Sequence, residues 1–214
     1  MTYKELETLV AQGEHQYLEF KIKAAFPEKV VREMAAFANT DGGRLLIGVD
    51  DDKTILGVKY PEEEAFSISQ ALEKLCRPKL NFRFIEVKVS RKRSVLVYII
   101  SESRKRPHYI NENAGDKGTV YHRKDDRSIK ASRELIEIMK RQRRNKGVTI
   151  RYGEKEKILM EYLNANDKIT LDKYREIARL NRLQASKTLV SLVMANVIKI
   201  QPREREDLYH LNLT

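Results

Sequence analysis

Carboxylate side chains occur at two places in the chain that folding could bring together. Glu14 and Glu19 lie five residues apart, and three consecutive aspartates at 50–52 follow the apolar run 45–49. Mg²⁺ and Mn²⁺ prefer oxygen ligands, so two or three such carboxylates at strand ends could hold a divalent cation beside a scissile phosphate. The pattern therefore indicates a candidate site for phosphate chemistry.

Two lysines beside these carboxylates carry the opposite charge. Lys21 and Lys23 follow Glu19 on a segment that alternates in part like a β-strand, so they could neutralise neighbouring phosphates. A structural interpretation needs no ligand: Glu19 would pair with Lys21 on one strand face, and residues 50–52 would form a polar turn. The residues alone leave both interpretations open.

The segment before the strand 45–49 is a second candidate phosphate site. A predicted helix ends there, and flexible backbone could cradle a phosphate at Asn39, Thr40, Gly42 and Gly43. The segment lacks the Gly-x-x-x-x-Gly-Lys-Ser/Thr pattern of P-loops. A tight turn between helix and strand explains the same glycines without a ligand.

The chain is strongly basic. Its formal net charge is +11 and its pI is about 9.6, which favours anionic partners, with nucleic acid ahead of an acidic membrane or protein. Cations of the N-terminal part that could line a phosphate-contacting surface are Arg91, Lys92, Arg93, Lys105, Arg106 and Arg123. His108, Tyr109 and Tyr121 lie among them and could stack on bases. Alternatively, the charges are solvated and the aromatic rings belong to the core.

Composition limits the class of protein further. A chain of 214 residues with 41% hydrophobic residues suits one domain or two smaller ones. Cys76 is the single cysteine, so neither a disulfide framework nor a cysteine-based zinc site is expected. The sequence shows no signal-peptide core and no membrane span, so we expect a cytoplasmic protein without a membrane partner.

The first two-thirds of the chain predict a domain that mixes helices and strands. Pro27 is suited to the first turn of a helix, and the run 45–49 predicts a strand covered on both faces, with 54–58 as its hairpin partner. Further strands follow, then a helix capped by Ser132. We therefore predict an α+β (mixed α/β) domain over residues 1–142.

The composition then changes at a basic run closed by glycine, which predicts a basic linker over residues 143–153. Residues 154–214 show three helical patterns, the second capped by Thr170, and then two strands. This is the order of a winged helix-turn-helix domain. Polar residues left outward on the third helix, and cations between the strands, could contact nucleic acid: Arg182, Gln184, Lys187, Thr188, Ser191, Arg203 and Arg205.

Several motifs of the N-terminal part occur together. They are Glu14 with Glu19-Phe20-Lys21, Phe37-Ala38-Asn39-Thr40-Asp41-Gly42-Gly43, Ile47-Gly48-Val49-Asp50-Asp51, Lys105-Arg106-Pro107-His108-Tyr109 and Tyr121-His122-Arg123. In this combination the sequence resembles the Schlafen AlbA-like (AlbA_2) family over about residues 14–140. The C-terminal part looks like the winged helix that bacterial members often carry.

The resemblance implies three kinds of activity. Bacterial members are described as DNA-binding proteins or transcriptional regulators, and the same domain has been described as a divergent AAA-type ATP-binding module. Animal Schlafen proteins cleave structured RNA with three carboxylates and a divalent metal. Their motif corresponds here to Glu14, Glu19 and Asp50, with Asp51 as the alternative aspartate. The animal nucleases join two such lobes, whereas this chain has one.

These observations together predict a nucleic-acid-binding protein, specifically a DNA-binding transcriptional regulator that acts as a homodimer. The first alternative is a metal-dependent endoribonuclease that binds Mg²⁺ or Mn²⁺ at Glu14, Glu19 and Asp50. The second is an ATP-binding or protein-adaptor module. DNA is expected as the partner ahead of RNA.

Overall fold

The structure is a computed structural model that describes residues 1–111, 117–144 and 149–213. The chain divides into two compact units, Met1–Lys130 and Ala131–Thr214. Within the described ranges, no helix is long and apolar enough to cross a membrane.

The first unit combines helices with two sheets. Its elements are α1 (Tyr3–Val10), β1 (Leu18–Lys21), α2 (Pro27–Asn39), β2 (Gly43–Ile47), α3 (Pro61–Leu75), β3 (Cys76–Arg77), β4 (Phe82–Ser90), β5 (Arg93–Ile100), β6 (Tyr109–Ile110), β7 (Thr119–Lys124) and β8 (Arg127–Lys130). One sheet has the order β1-β2-β5-β4, with β1 and β2 parallel and the other neighbours antiparallel. The other sheet, β3-β6-β7-β8, is antiparallel. The predicted mixed α/β fold is confirmed.

Local sequence explains where the first helices begin. The Thr2 hydroxyl accepts the N–H of Glu5 at 3.3 Å, and the Glu5 carboxylate accepts the N–H of Thr2 at 2.7 Å, which together form a capping box at α1. Pro27 occupies the first turn of α2, where its missing N–H breaks no helical hydrogen bond. The sequence therefore fixes both starts locally.

The first sheet is covered on both faces because the side chains of β2 alternate. Leu45 and Ile47 pack in one hydrophobic cluster with α2 and α3, whereas Leu46 packs with α1 in another. All three side chains are fully buried, as an uninterrupted apolar run predicts. Helix α2 also packs against β7, so it contacts both sheets.

Residues 54–58 do not form the predicted hairpin partner of β2. Instead, Ile55 makes an isolated bridge with Val49, and Val58 makes one with Ser94. Strand β2 already pairs with β1 along one edge and with β5 along the other. Because neither edge is open to a further strand, the predicted hairpin is reduced to the antiparallel Val49–Ile55 bridge beyond the end of β2, and no strand forms over 54–58.

The second unit contains α4 (Arg133–Arg144), α5 (Glu154–Ala165), β9 (Ile169–Thr170), α6 (Leu171–Ile177), α7 (Arg182–Met194), β10 (Ile198–Gln201) and β11 (Leu208–Leu211). Its strands form an antiparallel sheet in the order β10-β11-β9. Leu159 of α5, Tyr174 of α6 and Leu189 of α7 are fully buried in one core. The predicted succession of three helices and a hairpin is therefore present.

Both predicted helix caps are confirmed. Ser132 Oγ accepts the N–H of Leu135 at 3.0 Å, and the Thr170 hydroxyl accepts the N–H of Lys173 at 3.1 Å. The helix that Ser132 caps, α4, packs against α7. The helix expected at the end of the first domain thus lies in the second unit. Residues 145–148 of the predicted linker lie outside the described residues.

Candidate functional site

Arg123 of β7 is the centre of a buried polar cluster. Its side chain is fully buried, and Nη1 donates to Glu19 Oε2 and to Glu33 Oε2, both at 2.9 Å. Nη2 donates to the carbonyl oxygen of His15 at 3.0 Å. The guanidinium lies over the ring of Phe37, 4.7 Å from its centroid. Strand β1 and helix α2 therefore supply the partners of a cation on β7.

A buried guanidinium needs such partners because it stays protonated at every ordinary pH. Burying an ion costs several kcal/mol unless opposite charges and hydrogen bonds compensate. Glu19 and Glu33 supply two carboxylates, and the aromatic face of Phe37 adds a cation–π contact. Arg123 was predicted to line a phosphate-contacting surface. That prediction was wrong, because a wholly buried side chain cannot reach a phosphate.

Glu19 has a second partner in Lys21, the pair that the structural interpretation predicts. Both oxygens of Glu19 therefore face cations, because Oε2 accepts from Arg123 and Oε1 from Lys21. Glu14 lies beside this pair, where its Oε1 accepts the N–H of Phe20 at 2.8 Å. A metal ion at Glu19 would have to displace Lys21.

The aspartates form the polar turn that the structural interpretation predicts. Asp50 Oδ1 accepts the N–H of Asp51 at 2.7 Å, and Asp52 Oδ1 accepts the N–H of Thr54 at 2.8 Å. Among the described residues, no group of three or more His, Cys, Asp or Glu side chains is placed to hold a metal ion. The catalytic and metal-binding roles of Glu14, Glu19 and Asp50 therefore stay predictions.

Burial raises the pKa of two carboxyl groups in this region. Burial is the largest cause for Glu14, and the charges of Glu19 and Asp51 raise the pKa further. Burial is also the largest cause for Glu33, where the charge of Glu19 raises the pKa and Arg123 opposes the rise. Raised carboxyl pKa values occur in acid–base catalysis and in structural ion-pair networks alike. The aspartate whose charge raises the pKa of Glu14 is thus Asp51, the alternative metal ligand.

The first two residues of the candidate phosphate loop are buried structural residues. Asn39 Nδ2 donates to the carbonyl oxygens of His108 and Tyr121 at 3.0 and 2.9 Å, and Asn39 Oδ1 accepts the N–H of His108 at 2.7 Å. The Thr40 hydroxyl accepts the N–H of Arg123 at 2.9 Å. These side chains therefore join the end of α2 to β7 and to the segment before β6.

The two glycines of this loop are required by close packing. Gly42 has a φ of +80°, and a Cβ there would lie 2.7 Å from the carbonyl oxygen of Ile100. A Cβ on Gly43 would lie 2.2 Å from the ring of Phe37. The loop also follows the C-terminus of α2, the negative end of the helix dipole, whereas phosphates bind at helix N-termini. The geometry does not support a phosphate loop.

The aromatic residues predicted to stack on bases are also structural. His108 is fully buried, with Nδ1 2.9 Å from the carbonyl oxygen of Pro78 and Nε2 2.7 Å from Ser103 Oγ. Tyr121 is buried in the core beside α2, and Tyr109 is half-buried. The stacking prediction was therefore wrong for His108 and Tyr121, because neither ring is accessible.

The other predicted cations of the first unit differ in exposure. Lys21 is half-buried and paired with Glu19, and Arg106 forms an ion pair with Glu102. Exposed cations lie at the β4–β5 turn and on loops: Lys23, Arg91, Lys92, Arg93 and Lys105. These residues remain candidates for phosphate contact.

In the second unit the predicted residues fall on two elements. Arg182, Gln184 and Lys187 are exposed on α7, Ser191 is half-buried, and Arg203 and Arg205 are exposed between β10 and β11. Thr188 was predicted to face outward but is buried. The reason is its position on α7, one turn from the core residues Ala185 and Leu192.

Sequence reasoning missed Glu33, which is as central to the buried cluster as Glu19. A local signal exists, because Glu33 lies one helical turn before Phe37 on α2. The apolar side chains of α2 are its inward face, so a carboxylate beside them indicates a buried cation. The identity of that cation is not readable locally, since Arg123 lies 90 residues away in sequence.

The first unit is thus a mixed α/β domain whose two sheets are joined by a buried arginine–carboxylate cluster. A family model described as "Schlafen, AlbA_2" matches residues 14–132, and the chain belongs to this family. Membership of the family indicates nucleic-acid binding.

Several solved structures also match the chain, and two of them illustrate the similarity. One is the N-terminal domain of a protein from Nitrosomonas europaea whose name relates it to the ATP-dependent DNA helicase RecG. It shares 20% identity with a TM-score of 0.42, and the match covers 58% of this chain and 89% of that one. The DIP2311 protein from Corynebacterium diphtheriae shares 15% identity with a TM-score of 0.48. That match covers 88% of this chain but 36% of DIP2311.

Proposed function

We propose that this protein binds duplex DNA as a transcriptional regulator, and that its C-terminal unit is a winged helix-turn-helix domain. The main support is the exposed polar and cationic surface of α7. This helix follows α6 after the short turn 178–181, and the hairpin β10–β11 follows α7. In helix-turn-helix proteins the second helix of the motif enters the major groove.

The charges of this unit support the proposal. Arg182 and Lys187 are exposed on α7, and Arg203 and Arg205 are exposed between β10 and β11. Arg182 lies 3.8 Å from Asp172, an exposed pair of the kind that contributes little to stability, so its guanidinium can exchange this partner for a phosphate. The net charge of +11 adds long-range attraction to a polyanion.

We further propose that the protein binds as a homodimer. Helix-turn-helix dimers place two recognition helices on half-sites about one helical turn of DNA apart. A homodimer would therefore prefer a palindromic site over a single half-site. Affinity that does not change when one half-site is destroyed would contradict this part of the proposal.

The proposal is tested by titrating duplex DNA at several salt concentrations. The double variant Arg182→Glu with Lys187→Glu should lower the slope of log affinity against log salt by about 1.8, because each phosphate contact contributes about 0.9. The control reverses two exposed lysines outside α7, Lys157→Glu on α5 with Lys168→Glu in the turn before β9, and makes the same change in net charge. If the two double variants change the salt dependence equally, α7 is not part of the DNA interface. An affinity for duplex DNA that does not depend on salt would favour the alternative function, a protein-adaptor module.

A metal-dependent endoribonuclease is the second candidate because Glu14 and Glu19 are neighbours and the charge of Asp51 acts on Glu14. The present geometry does not fit a metal at Glu19, since Arg123 and Lys21 occupy its two oxygens. Glu19 is better explained as part of the cluster that joins β1 to β7, and Glu14 as the acceptor of the N–H of Phe20.

A further inference from the structure

Leu183 is the apolar exception on the exposed surface of α7. It is the second residue of the helix, it is 63% exposed, and it lies between the exposed Arg182 and Gln184. Single exposed leucines are ordinary on protein surfaces. This one differs because it occupies the first turn of the helix that the proposed function places in the major groove.

Helical geometry puts Leu183 in line with a predicted DNA contact. Leu183 and Lys187 are four residues apart, so they lie on one stripe of α7 with Cβ atoms about 6 Å apart. The opposite face is buried, because Ala185 and Leu189 pack in the core. Val190, which continues the stripe toward the C-terminus, is buried as well, so the exposed part of the stripe is its N-terminal part. Helical side chains tilt toward the N-terminus, and the N-terminal residues of a recognition helix contact base edges. If α7 binds in the major groove, Leu183 is therefore the residue of this stripe that lies closest to the base edges.

The polar neighbour Gln184 is already engaged elsewhere. Asn181 Oδ1 accepts the N–H of Gln184 at 2.9 Å, and Gln184 Oε1 accepts the N–H of Asn181 at 3.2 Å. This reciprocal pair is the capping box of α7. Glutamine reads adenine with its amide oxygen and nitrogen together. The engaged oxygen disfavours that role for Gln184, so Arg182 and Leu183 are the exposed side chains of this turn that can still reach a base.

We propose that Leu183 packs against the C5-methyl group of thymine in the major groove. The proposal rests on the function proposed above and names the class of target, a duplex with thymine where the first turn of α7 meets the bases. Thymine suits an apolar side chain because its methyl group is the apolar feature of the major-groove edge. Uracil has the same hydrogen-bonding groups without that methyl group.

The test compares thymine with uracil in the same duplex. A duplex is enriched from a random-sequence pool with the wild-type chain, and a copy is made with deoxyuridine in place of every thymine. Wild-type protein should bind the thymine duplex more tightly by about fourfold for each methyl group that Leu183 buries. Leu183→Ala should lose the part of this preference that Leu183 contributes, so its thymine-to-uracil affinity ratio should be lower than the wild-type ratio by that factor.

A matched control separates this contact from other effects of the base change. Leu213→Ala removes another leucine of the same unit, one that is 88% exposed and lies outside α7. This variant should keep the wild-type preference for thymine. The control also accounts for differences in stiffness between the two duplexes, since those differences act on all three proteins alike.

The outcomes distinguish this inference from the proposed function. Equal wild-type affinity for the two duplexes, or a thymine preference that is undiminished in Leu183→Ala, would overturn the role of Leu183 and leave duplex binding intact. Absence of any salt-dependent duplex binding by the wild-type protein would overturn both. A preference reduced in Leu183→Ala and kept in Leu213→Ala would establish the contact.

Discussion

Arg123 and Glu19 are joined by a buried hydrogen bond of 2.9 Å although 104 residues separate them in sequence. The bond links β7 of one sheet to β1 of the other. Glu33 extends the link to α2, which packs against both sheets. Glu19 and Arg123, residues of two different motifs, thus meet Glu33 in one buried cluster that links the two sheets and α2.

Arg123→Met should lower the free energy of unfolding by about 3–5 kcal/mol, because Glu19 and Glu33 would lose the cation that pairs with both. Urea unfolding followed by circular dichroism measures this loss. Arg91→Met is the matched control at an exposed turn, where a change within about 0.5 kcal/mol is expected. Similar effects of the two substitutions would show that the buried cluster contributes little.

Sequence predicted the local features of this fold and missed the long-range ones. The run at β2 and the caps at Ser132 and Thr170 were predictable because a few neighbouring residues specify them. The pairing of residues 54–58 was not, since it depends on whether the edges of β2 are occupied by strands distant in sequence. Thr188 is an intermediate case: its polarity favours the surface, but its helical position places it inward.

The residues of the candidate site could be identified from the sequence, but their hydrogen-bond and ion-pair partners could not. Glu19 and Arg123 both belong to the sequence motifs, and the structure pairs them. The sequence assigned one to catalysis and the other to phosphate contact because neither pattern reveals burial. Desolvation decides the outcome, since a buried carboxylate and a buried guanidinium compensate each other and neither then faces a ligand.

Gly43→Ala should destabilise the first unit by about 1–3 kcal/mol, because the new Cβ would lie 2.2 Å from the buried ring of Phe37. A smaller side chain in Phe37→Leu should relieve part of this overlap. The double variant should therefore be more stable than the sum of the two single changes predicts, as a double-mutant cycle in urea measures. Additive effects would mean that the ring and the turn do not contact each other as described.

Stability should fall in mildly acidic solution through His108. Burial lowers the pKa of His108, so the folded protein keeps the ring neutral. Its Nδ1 must donate to the carbonyl oxygen of Pro78, because a carbonyl only accepts, and Nε2 then accepts from Ser103. The unfolded chain takes up a proton below about pH 6.5, so stability present above that pH is lost as pH falls toward the folded pKa.

His108→Gln removes this titration and should flatten the pH dependence. We expect the variant to be less stable than wild type near pH 8, and the difference to shrink as the pH falls to about 5. Urea midpoints of both proteins across this range measure the difference. Burial also lowers the pKa of His122, but this residue is present in both proteins. Its contribution to the pH dependence therefore cancels in the difference between them. A difference that does not vary with pH would contradict the prediction.

In the presence of Mn²⁺, wild-type protein and Glu14→Gln should cleave structured RNA at the same rate. The reason is that Glu19, which would share the metal with Glu14, already binds Arg123 and Lys21. Glu14→Gln is the informative substitution because the amide oxygen can still accept the N–H of Phe20. Glu19→Ala would lower stability as well, so a loss of cleavage in that variant would not identify its cause.

The aspartates complete this test. Asp50→Asn and Asp51→Asn each remove one of the two aspartates that could be the third metal ligand. Asp52→Asn is the control in the same turn. Cleavage by wild type that is lost in Glu14→Gln and in one of the first two aspartate variants, but kept in Asp52→Asn, would establish a metal-dependent nuclease. Lys21 would then have to leave Glu19 for the metal to bind, and Lys21→Met should raise the affinity for Mn²⁺ measured by calorimetry.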